Sequence, residues 1–221
     1  MDVADNEALV DLIEVNEIRV ERAVDGGVDV FRVFTADVMR VDTRDSEVIG
    51  DISGWIGWNM AKEDVFDCAD AVSMDAATLG WVAAEIIPWC ARTAHVAVRD
   101  LIFIDTIRLD PTFRGNRVSG AIVDQLLGLL RIRSERTLVE LIPEPQDEDG
   151  DELEPGAAHD AAARKVQNAF EACGFQRWPE SGVWWRLGVD GPPAGRPVGD
   201  QGIPPEVSST PPTLRKLRRR P

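Results

Sequence analysis

Residues 96–109, with the sequence VAVRDLIFIDTIRL, form a long and nearly continuous run of β-forming residues. A run of this kind is typical of a central strand of a sheet. Apolar residues recur at spacings of three and four over 63–90 and again over 118–133, which indicates helices before and after this strand. The chain is therefore expected to cover a sheet with helices.

Two earlier segments predict an antiparallel pair of strands. Residues 9–22 and 28–41 are rich in Val, Ile and Phe with partial alternation. Asp25-Gly26-Gly27 lies between them and is a hairpin signal. These two strands are expected to pair with each other.

The remaining elements follow from the same periodicities and predict a mixed α/β (α+β) fold, with a mostly antiparallel sheet and flanking helices. In the third strand, glycines indicate a bulge or a close approach of two backbones. These glycines are Gly50, Gly54 and Gly57. The expected elements are a strand over 47–60, one or two helices within 63–90 that end before Pro88, helices over 118–133 and 157–173, and strands over 137–142, 175–178 and 183–187.

Charge and composition narrow the class of protein. The chain has 221 residues, 44% of them hydrophobic, and a formal net charge of −15. That excess of acid argues against nucleic-acid binding by the body of the protein. With no run of eighteen apolar residues and no basic, apolar leader at the N-terminus, the sequence predicts a cytoplasmic protein without membrane contact.

The C-terminal end differs from the rest of the chain. Residues 189–221 hold 8 of the 14 prolines and no aromatic residue, and they end in a basic run. Such a segment cannot bury enough apolar surface to offset its ordering entropy, so it is expected to be a disordered tail. Residues 1–188 are expected to form one domain. The tail's basic end is either a solvated segment or a weak nucleic-acid or partner-binding arm.

No metal site is expected. Cys68, Cys90 and Cys173 are widely spaced, and only two histidines accompany them, which excludes a Cys/His zinc cage and a disulfide framework. The acidic stretch 143–155 has seven acidic residues but places Glu152 where a calcium-binding EF-hand loop needs glycine. It is expected to be a surface loop.

The junction after the long strand carries the chemistry. Leu109-Asp110-Pro111 runs into a tight turn and then at once into a helix, so backbone N–H groups and the positive helix end converge there. Arg114 and Arg117 add positive charge. This arrangement predicts a binding site for an anion.

This junction resembles the acetyl-CoA site of the GNAT superfamily of N-acyltransferases, in which a strand ends in a Val-x-Pro-like step before Arg/Gln-x-x-Gly-x-Gly/Ala and a helix. The match consists of Leu109-Asp110-Pro111, Phe113, Arg114-Gly115 and the apolar helix over 121–127. Phe170 and Gly174-Phe175 match a second family pattern, an aromatic residue, usually Tyr, four positions before Gly-Phe. The resemblance covers about residues 98–188.

The resemblance implies a GNAT-like domain over residues 1–188 that transfers an acetyl group from acetyl-CoA to an amine of a small molecule or protein. It implies that acetyl-CoA is bound by residues of the junction and of the last helix. These are Leu109, Arg114, Gly115, Asn116, Arg117, Val118, Ser119, Gly120 and Phe170.

The implied mechanism is direct attack of the amine on the thioester, whose oxygen is polarised by a backbone N–H of the splayed long strand near Leu109. A carboxylate takes the ammonium proton, and the candidates are Asp105, expected on the face of Leu109 by the two-residue period, and Glu140 on the next strand. The chain contains no tyrosine, so the family's usual acid for the thiolate is missing. Either water, Ser119 or Cys173 replaces it, or catalysis relies on positioning alone.

The sequence leaves two functions open. Arg117 and Ser119 stand where the family has small loop residues, which favours a GNAT-like module that binds CoA or a protein, including a second copy, without catalysis. Four tryptophans in the N-terminal half either fill the core or line an acceptor pocket with an acidic rim. They are Trp55, Trp58, Trp81 and Trp89. The adjacent Trp184 and Trp185 are expected to divide between core and surface.

Overall fold

A computed structural model describes residues 12–22, 30–41, 46–60, 63–114, 118–147 and 153–188. Its strands are β1 (Ile13–Arg22), β2 (Phe31–Val41), β3 (Ser46–Gly57), β4 (Asp100–Leu109), β5 (Thr137–Leu141), β6 (Gln176–Arg177) and β7 (Trp184–Leu187). Its helices are α1 (Val65–Asp70), α2 (Met74–Thr93), α3 (Ser119–Leu129) and α4 (Ala157–Ala172). The predicted tail and the turn at Asp25-Gly26-Gly27 lie outside the described residues.

The described strands form one sheet in the order β1-β2-β3-β4-β5-β7-β6. Neighbouring strands are antiparallel except β4 and β5, which run parallel because α3 carries the chain back across the sheet between them. The predicted mixed fold, with a mostly antiparallel sheet and flanking helices, is confirmed, as is the pairing of the first two strands.

Helices cover both faces of the sheet. The apolar sides of α3 and α4 pack on one face, in a cluster that includes Ile122 and Phe170. The apolar sides of α1 and α2 pack on the other, around Val82 and Trp185. The long strand β4 is central in the sheet, as its sequence predicts, and it is buried on both faces over residues 101–104.

The coverage of both faces corrects the expectation for the paired tryptophans. Trp184 and Trp185 do face opposite ways, but both are buried, one in each apolar cluster. Of the four earlier tryptophans, Trp55 and Trp89 are half-buried against the second cluster. Trp58 and Trp81 are each 42% exposed, so they do not fill the core.

The second helix does not end before Pro88 but continues to Thr93. Pro88 is exposed on its outer side, while Ile86 and Cys90 are fully buried on its inner side. A proline inside a helix costs about 3 kcal/mol. Burial of the apolar residues on either side of it offsets that cost. The strand that follows begins at Asp100, four residues later than predicted.

Candidate functional site

A cleft opens where β4 and β5 separate. The two strands pair from Asp100 and Thr137 as far as Ile104 and Leu141, and beyond that point residues 105–109 have no strand partner on the β5 side among the residues that the structure describes. The opening has a volume of about 790 Å³. Its walls are the second half of β4, the segment after β5 and the inner face of α4. A cleft of this size accommodates a ligand with the bulk of a small cofactor.

A bulge in β4 marks the start of the cleft. Ser53 of β3 pairs with Thr106 and Gly54 with Ile104, so Asp105 is an extra residue without a partner. Gly54 permits this close approach, since a Cβ there would lie 2.0 Å from the carbonyl oxygen of Phe103. The close approach of two backbones, one of the two features that the glycines of β3 predicted, is thus present at Gly54, while the bulge itself lies on β4.

The bulge corrects the expected alignment of Asp105 with Leu109. Leu109 packs with the apolar cluster under α3 and α4, whereas the carboxyl of Asp105 lies near Asp75 at the start of α2 on the other face. One extra residue reverses the two-residue period, so Asp105 and Leu109 point to opposite faces. Both residues still line the cleft, because the cleft passes between the strands.

The backbone of Leu109 faces the cleft. The N–H of Asp110 donates to Ile49 of β3 at 2.7 Å, and the carbonyl oxygen of Leu109 accepts a hydrogen bond from Nε of Arg114 at 2.7 Å. Because N–H and C=O groups alternate in direction along a strand, the N–H of Leu109 also points away from β3. This is the group that the family resemblance implies for polarising a thioester carbonyl.

Arg114 lies in the cleft wall and connects the end of β4 with the segment after β5. Its Nε and one terminal nitrogen donate to the carbonyl oxygens of Leu109 and Asp147. A guanidinium has five N–H groups, so these two hydrogen bonds leave donors for a ligand. The side chain thus presents positive charge to the cleft.

The first turn of α3 closes one end of the cleft. Its N-cap residue, Val118, makes no side-chain capping bond, and its side chain is buried in the core. Ser119 lines the cleft. Gly120 is needed for helix packing, since a Cβ there would lie 2.8 Å from Sγ of Cys173. The candidate residues Gly115, Asn116 and Arg117 lie outside the described residues.

The aromatic pattern at the end of α4 has a structural explanation. Gly174 adopts a left-handed conformation (φ 80°) after the last turn of the helix, and the N–H of Phe175 donates to the carbonyl of Phe170 at 3.0 Å. This is a Schellman C-cap, in which the residue after the glycine packs back on the helix. The rings of Phe170 and Phe175 lie 5.4 Å apart, and Phe170 also lines the cleft.

The face of Asp105 is acidic. Burial, then the proximity of Asp75, raises the pKa of Asp105 above its ordinary value, while a hydrogen bond from Thr106 and the charge of Arg108 lower it. Across the strands, burial raises the pKa of Asp51, which Arg108 lowers and Asp37 raises further. An acid whose pKa is raised toward neutrality is better suited to accept a proton near pH 7.

Glu140 lies away from the cleft. Its side chain is fully buried on the opposite face of β5 from Leu141, among the second apolar cluster, and its strand partners are Phe103 and Trp185. Neither carboxyl oxygen has a hydrogen-bond partner among the described residues. The pKa of Glu140 is raised well above its ordinary value because burial disfavours the carboxylate. The structure gives no support to Glu140 as a base that serves the cleft.

Lys165 lines the cleft from α4 and belongs to none of the motifs in the sequence. The available signal was helical spacing, since Lys165 lies three residues after Ala162 and four before Ala169, and all three face the cleft. None of the seven tryptophans lines this cleft, so an aromatic acceptor pocket does not form in it.

Comparisons of this chain with protein-family models, with curated proteins and with solved structures find no match. Within the described residues, no group of three or more His, Cys, Asp or Glu side chains is placed to hold a metal ion. No helix in that part of the chain is long and apolar enough to span a membrane.

Proposed function

We propose that this protein is a GNAT-like N-acetyltransferase that transfers an acetyl group from acetyl-CoA to an amine of a small molecule or protein. The observation that carries the proposal is the cleft between the separated β4 and β5. It exposes strand backbone, including the N–H of Leu109, to a ligand that passes between the strands. We place this reaction in the cytoplasm, in keeping with the composition of the chain.

The donor side is the face of α3 and α4. The anionic part of acetyl-CoA would meet Arg114, Lys165 and the N–H groups of the first turn of α3 near Ser119. Arg117, which directly precedes Val118 in the sequence, would add a further positive charge. The pantetheine arm carries amide groups that match the unpaired backbone of residues 105–109, with Phe170 as an apolar wall.

The acceptor side is the acidic face. Asp37, Asp51, Asp75 and Asp105 carry more negative charge there than Arg108 neutralises, which favours a cationic amine. In the reaction, Asp105 takes a proton from the ammonium group, the amine nitrogen bonds to the thioester carbon, and the carbon–sulfur bond breaks. The thioester carbonyl re-forms as the CoA thiolate leaves, and the second proton of the amine nitrogen passes through Ser119 or water to the thiolate. Cys173 is less well placed, because it packs behind Gly120.

The test is the variant Asp105→Asn. Loss of a general base is expected to lower kcat by about 100-fold or more, while the affinity for acetyl-CoA stays within about twofold. The matched control is Asp70→Asn, an exposed residue of α1, which should keep full activity. Equal turnover by Asp105→Asn and the unmodified protein would remove Asp105 from the mechanism.

A second candidate is a GNAT-like module that binds CoA or a partner protein without catalysis. The observation in its favour is that Phe170, which has no proton to give, occupies the cleft position where the family usually has a tyrosine. Binding of acetyl-CoA without turnover across small amines, polyamines and peptide amino groups would favour this second function.

A further inference from the structure

A second concave site lies at the other end of the sheet. It has a volume of about 380 Å³, is lined by four arginines together with Trp58 and Asn59, and lies where β4 begins. The arginines are Arg99, Arg131, Arg133 and Arg136. Because β4 spans ten residues at about 3.3 Å each, this arginine groove and the cleft at Leu109 are separate sites.

The four arginines have no partners within the described part of the chain. None of them makes a side-chain hydrogen bond or an ion pair there. The carboxylate of Asp100, which also lines the groove, accepts from the N–H of Asn59 at 2.9 Å. Glu135 is adjacent in sequence and exposed, yet forms no ion pair. Like charges held together repel one another. The chain has a net charge of −15, yet no carboxylate among the described residues forms an ion pair with this cluster.

Backbone hydrogen bonds hold the three segments of the groove together. The N–H of Met60 donates to the carbonyl of Arg99 at 2.6 Å, and the N–H of Arg99 donates to the carbonyl of Arg136 at 2.8 Å. The side chain of Thr137 in turn donates to the carbonyl of Arg133 at 2.9 Å. The backbone that carries the four arginines is therefore held in place and needs little rearrangement to meet a ligand.

Arg131 stands at a position that favours glycine. It follows the end of α3 with φ 53°, in a Schellman cap where the N–H groups of Arg131 and Ile132 donate to Gly128 and Leu127. A side chain in this left-handed conformation is strained. Attraction to the negative end of α3 explains one cation here, but it does not explain four around one groove.

We propose that the arginine groove binds a nucleotide, with the guanidinium groups on its phosphates and its base against Trp58. Guanidinium groups pair with phosphate through two parallel hydrogen bonds, and an indole that is 42% exposed offers a flat face for a base. The acidity of the whole protein favours a small, compact ligand over a polynucleotide, whose remaining phosphates would be repelled.

The test titrates the full chain with ADP by calorimetry. The unmodified protein is expected to bind ADP, and Arg131→Gly/Arg133→Gln is expected to bind at least tenfold more weakly, as loss of charged hydrogen bonds requires. Because glycine relieves the strain at position 131, Arg131→Gly alone should weaken binding without lowering Tm. Arg92→Gln, an exposed arginine of α2 outside the groove, is the control and should bind normally.

Three further arms identify the ligand and the site. Trp58→Ala should weaken ADP at least tenfold and leave inorganic pyrophosphate unchanged, whereas equal effects on both would remove the base from the proposal. Lys165→Glu, in the cleft at the other end of the sheet, should leave ADP binding intact. Loss of ADP binding in that variant would assign ADP to the cleft. No ADP binding at millimolar concentration, or preference for an RNA oligonucleotide over ADP, would overturn the proposal.

Discussion

At the scale of single residues, Gly174 explains the spacing of Phe170, Gly174 and Phe175, one of the two patterns that resemble the GNAT superfamily. Its left-handed backbone ends α4 and turns Phe175 back onto Phe170, so the spacing of aromatic residue, glycine and phenylalanine is a property of the cap. The cap also sets where Phe170 meets the cleft. The motif therefore supports the placement of a cleft wall and carries no proton-transfer chemistry by itself.

Gly174→Ala is expected to lower the free energy of unfolding by about 1–2 kcal/mol, because a Cβ is disfavoured in the left-handed conformation. Denaturant unfolding followed by tryptophan fluorescence measures the change. Gly182→Ala is the control, since a Cβ there would meet only Ile142 at an ordinary 3.9 Å. Equal stability of the Gly174→Ala variant and the unmodified protein would contradict the cap.

Glu140 makes stability depend on pH. The unfolded chain ionises this carboxyl above its ordinary pKa of about 4.3, whereas burial in the folded protein raises its pKa well above that value. The folded state therefore keeps a proton that the unfolded state releases, so rising pH favours unfolding until the raised pKa is passed. The contribution of Glu140 is fully present below pH 4 and is lost as pH rises.

The variant Glu140→Gln removes this titration. We expect its free energy of unfolding, relative to that of the unmodified protein, to increase steadily from pH 4.5 to pH 7. Urea unfolding at a series of pH values measures both curves. A constant difference between them across this range would show that the folded protein holds Glu140 ionised.

At the scale of elements, the pairing of β4 with β3 at the bulge requires a close approach of the two backbones. A Cβ on Gly54 would meet the carbonyl of Phe103 at 2.0 Å, and that carbonyl belongs to the backbone and cannot rotate away. Gly54→Ala is therefore expected to destabilise the protein by about 1–3 kcal/mol and to displace Asp105. Thermal unfolding gives the first effect, and amide exchange of residues 104–106 gives the second.

The control for Gly54 is a glycine with free space for a Cβ atom. Gly128 lies in α3, where a Cβ would meet no atom within 4 Å. Alanine is a better helix former than glycine by about 1 kcal/mol, so Gly128→Ala should stabilise the protein. If Gly54→Ala also stabilised it, the strands would not approach at the bulge as described.

Local pattern predicts most elements here and fails where tertiary contacts decide. Proline predicted that the helix ends before Pro88, but α2 continues to Thr93, because Ile86 and Cys90 are buried. Alternation predicted that Trp184 and Trp185 divide between core and surface, but helices on both faces bury both. The glycines that indicate a bulge or a close approach lie on β3, whereas the bulge lies at Asp105 on β4. That Asp105 and Leu109 point to opposite faces can be predicted only when the pairing of β3 with β4 is known.

Part of the candidate site can likewise be predicted from local pattern, and part depends on tertiary contacts. The strand-turn-helix junction after β4 and the aromatic residue on α4 are visible as motifs, and the structure brings Leu109, Arg114, Ser119 and Phe170 to one cleft. The separation of β4 from β5 begins where their parallel pairing ends, at Ile104 and Leu141. The pattern of apolar and polar residues does not predict that point. The arginine groove assembles three distant segments, so no motif marks it.

At the scale of the whole molecule, a group of positive side chains lies at each end of the central strand. Arg114 and Lys165 face the cleft at its C-terminal end, and the arginine groove surrounds its N-terminal end. The chain as a whole carries a net charge of −15. Against that acidic background, we expect the described part of the protein to attract anionic ligands at these two groups.

The most direct measurement is calorimetric titration of the full chain with acetyl-CoA, repeated with Arg114→Glu and Lys165→Glu. The account predicts micromolar binding, about −8 kcal/mol, that weakens at least tenfold in both variants because each places negative charge in the cleft. Lys165→Glu keeps the loop contacts of Arg114 and so separates ligand binding from loop structure. Absence of binding by the unmodified protein, or equal affinity in all three proteins, would contradict the cleft as an acetyl-CoA site.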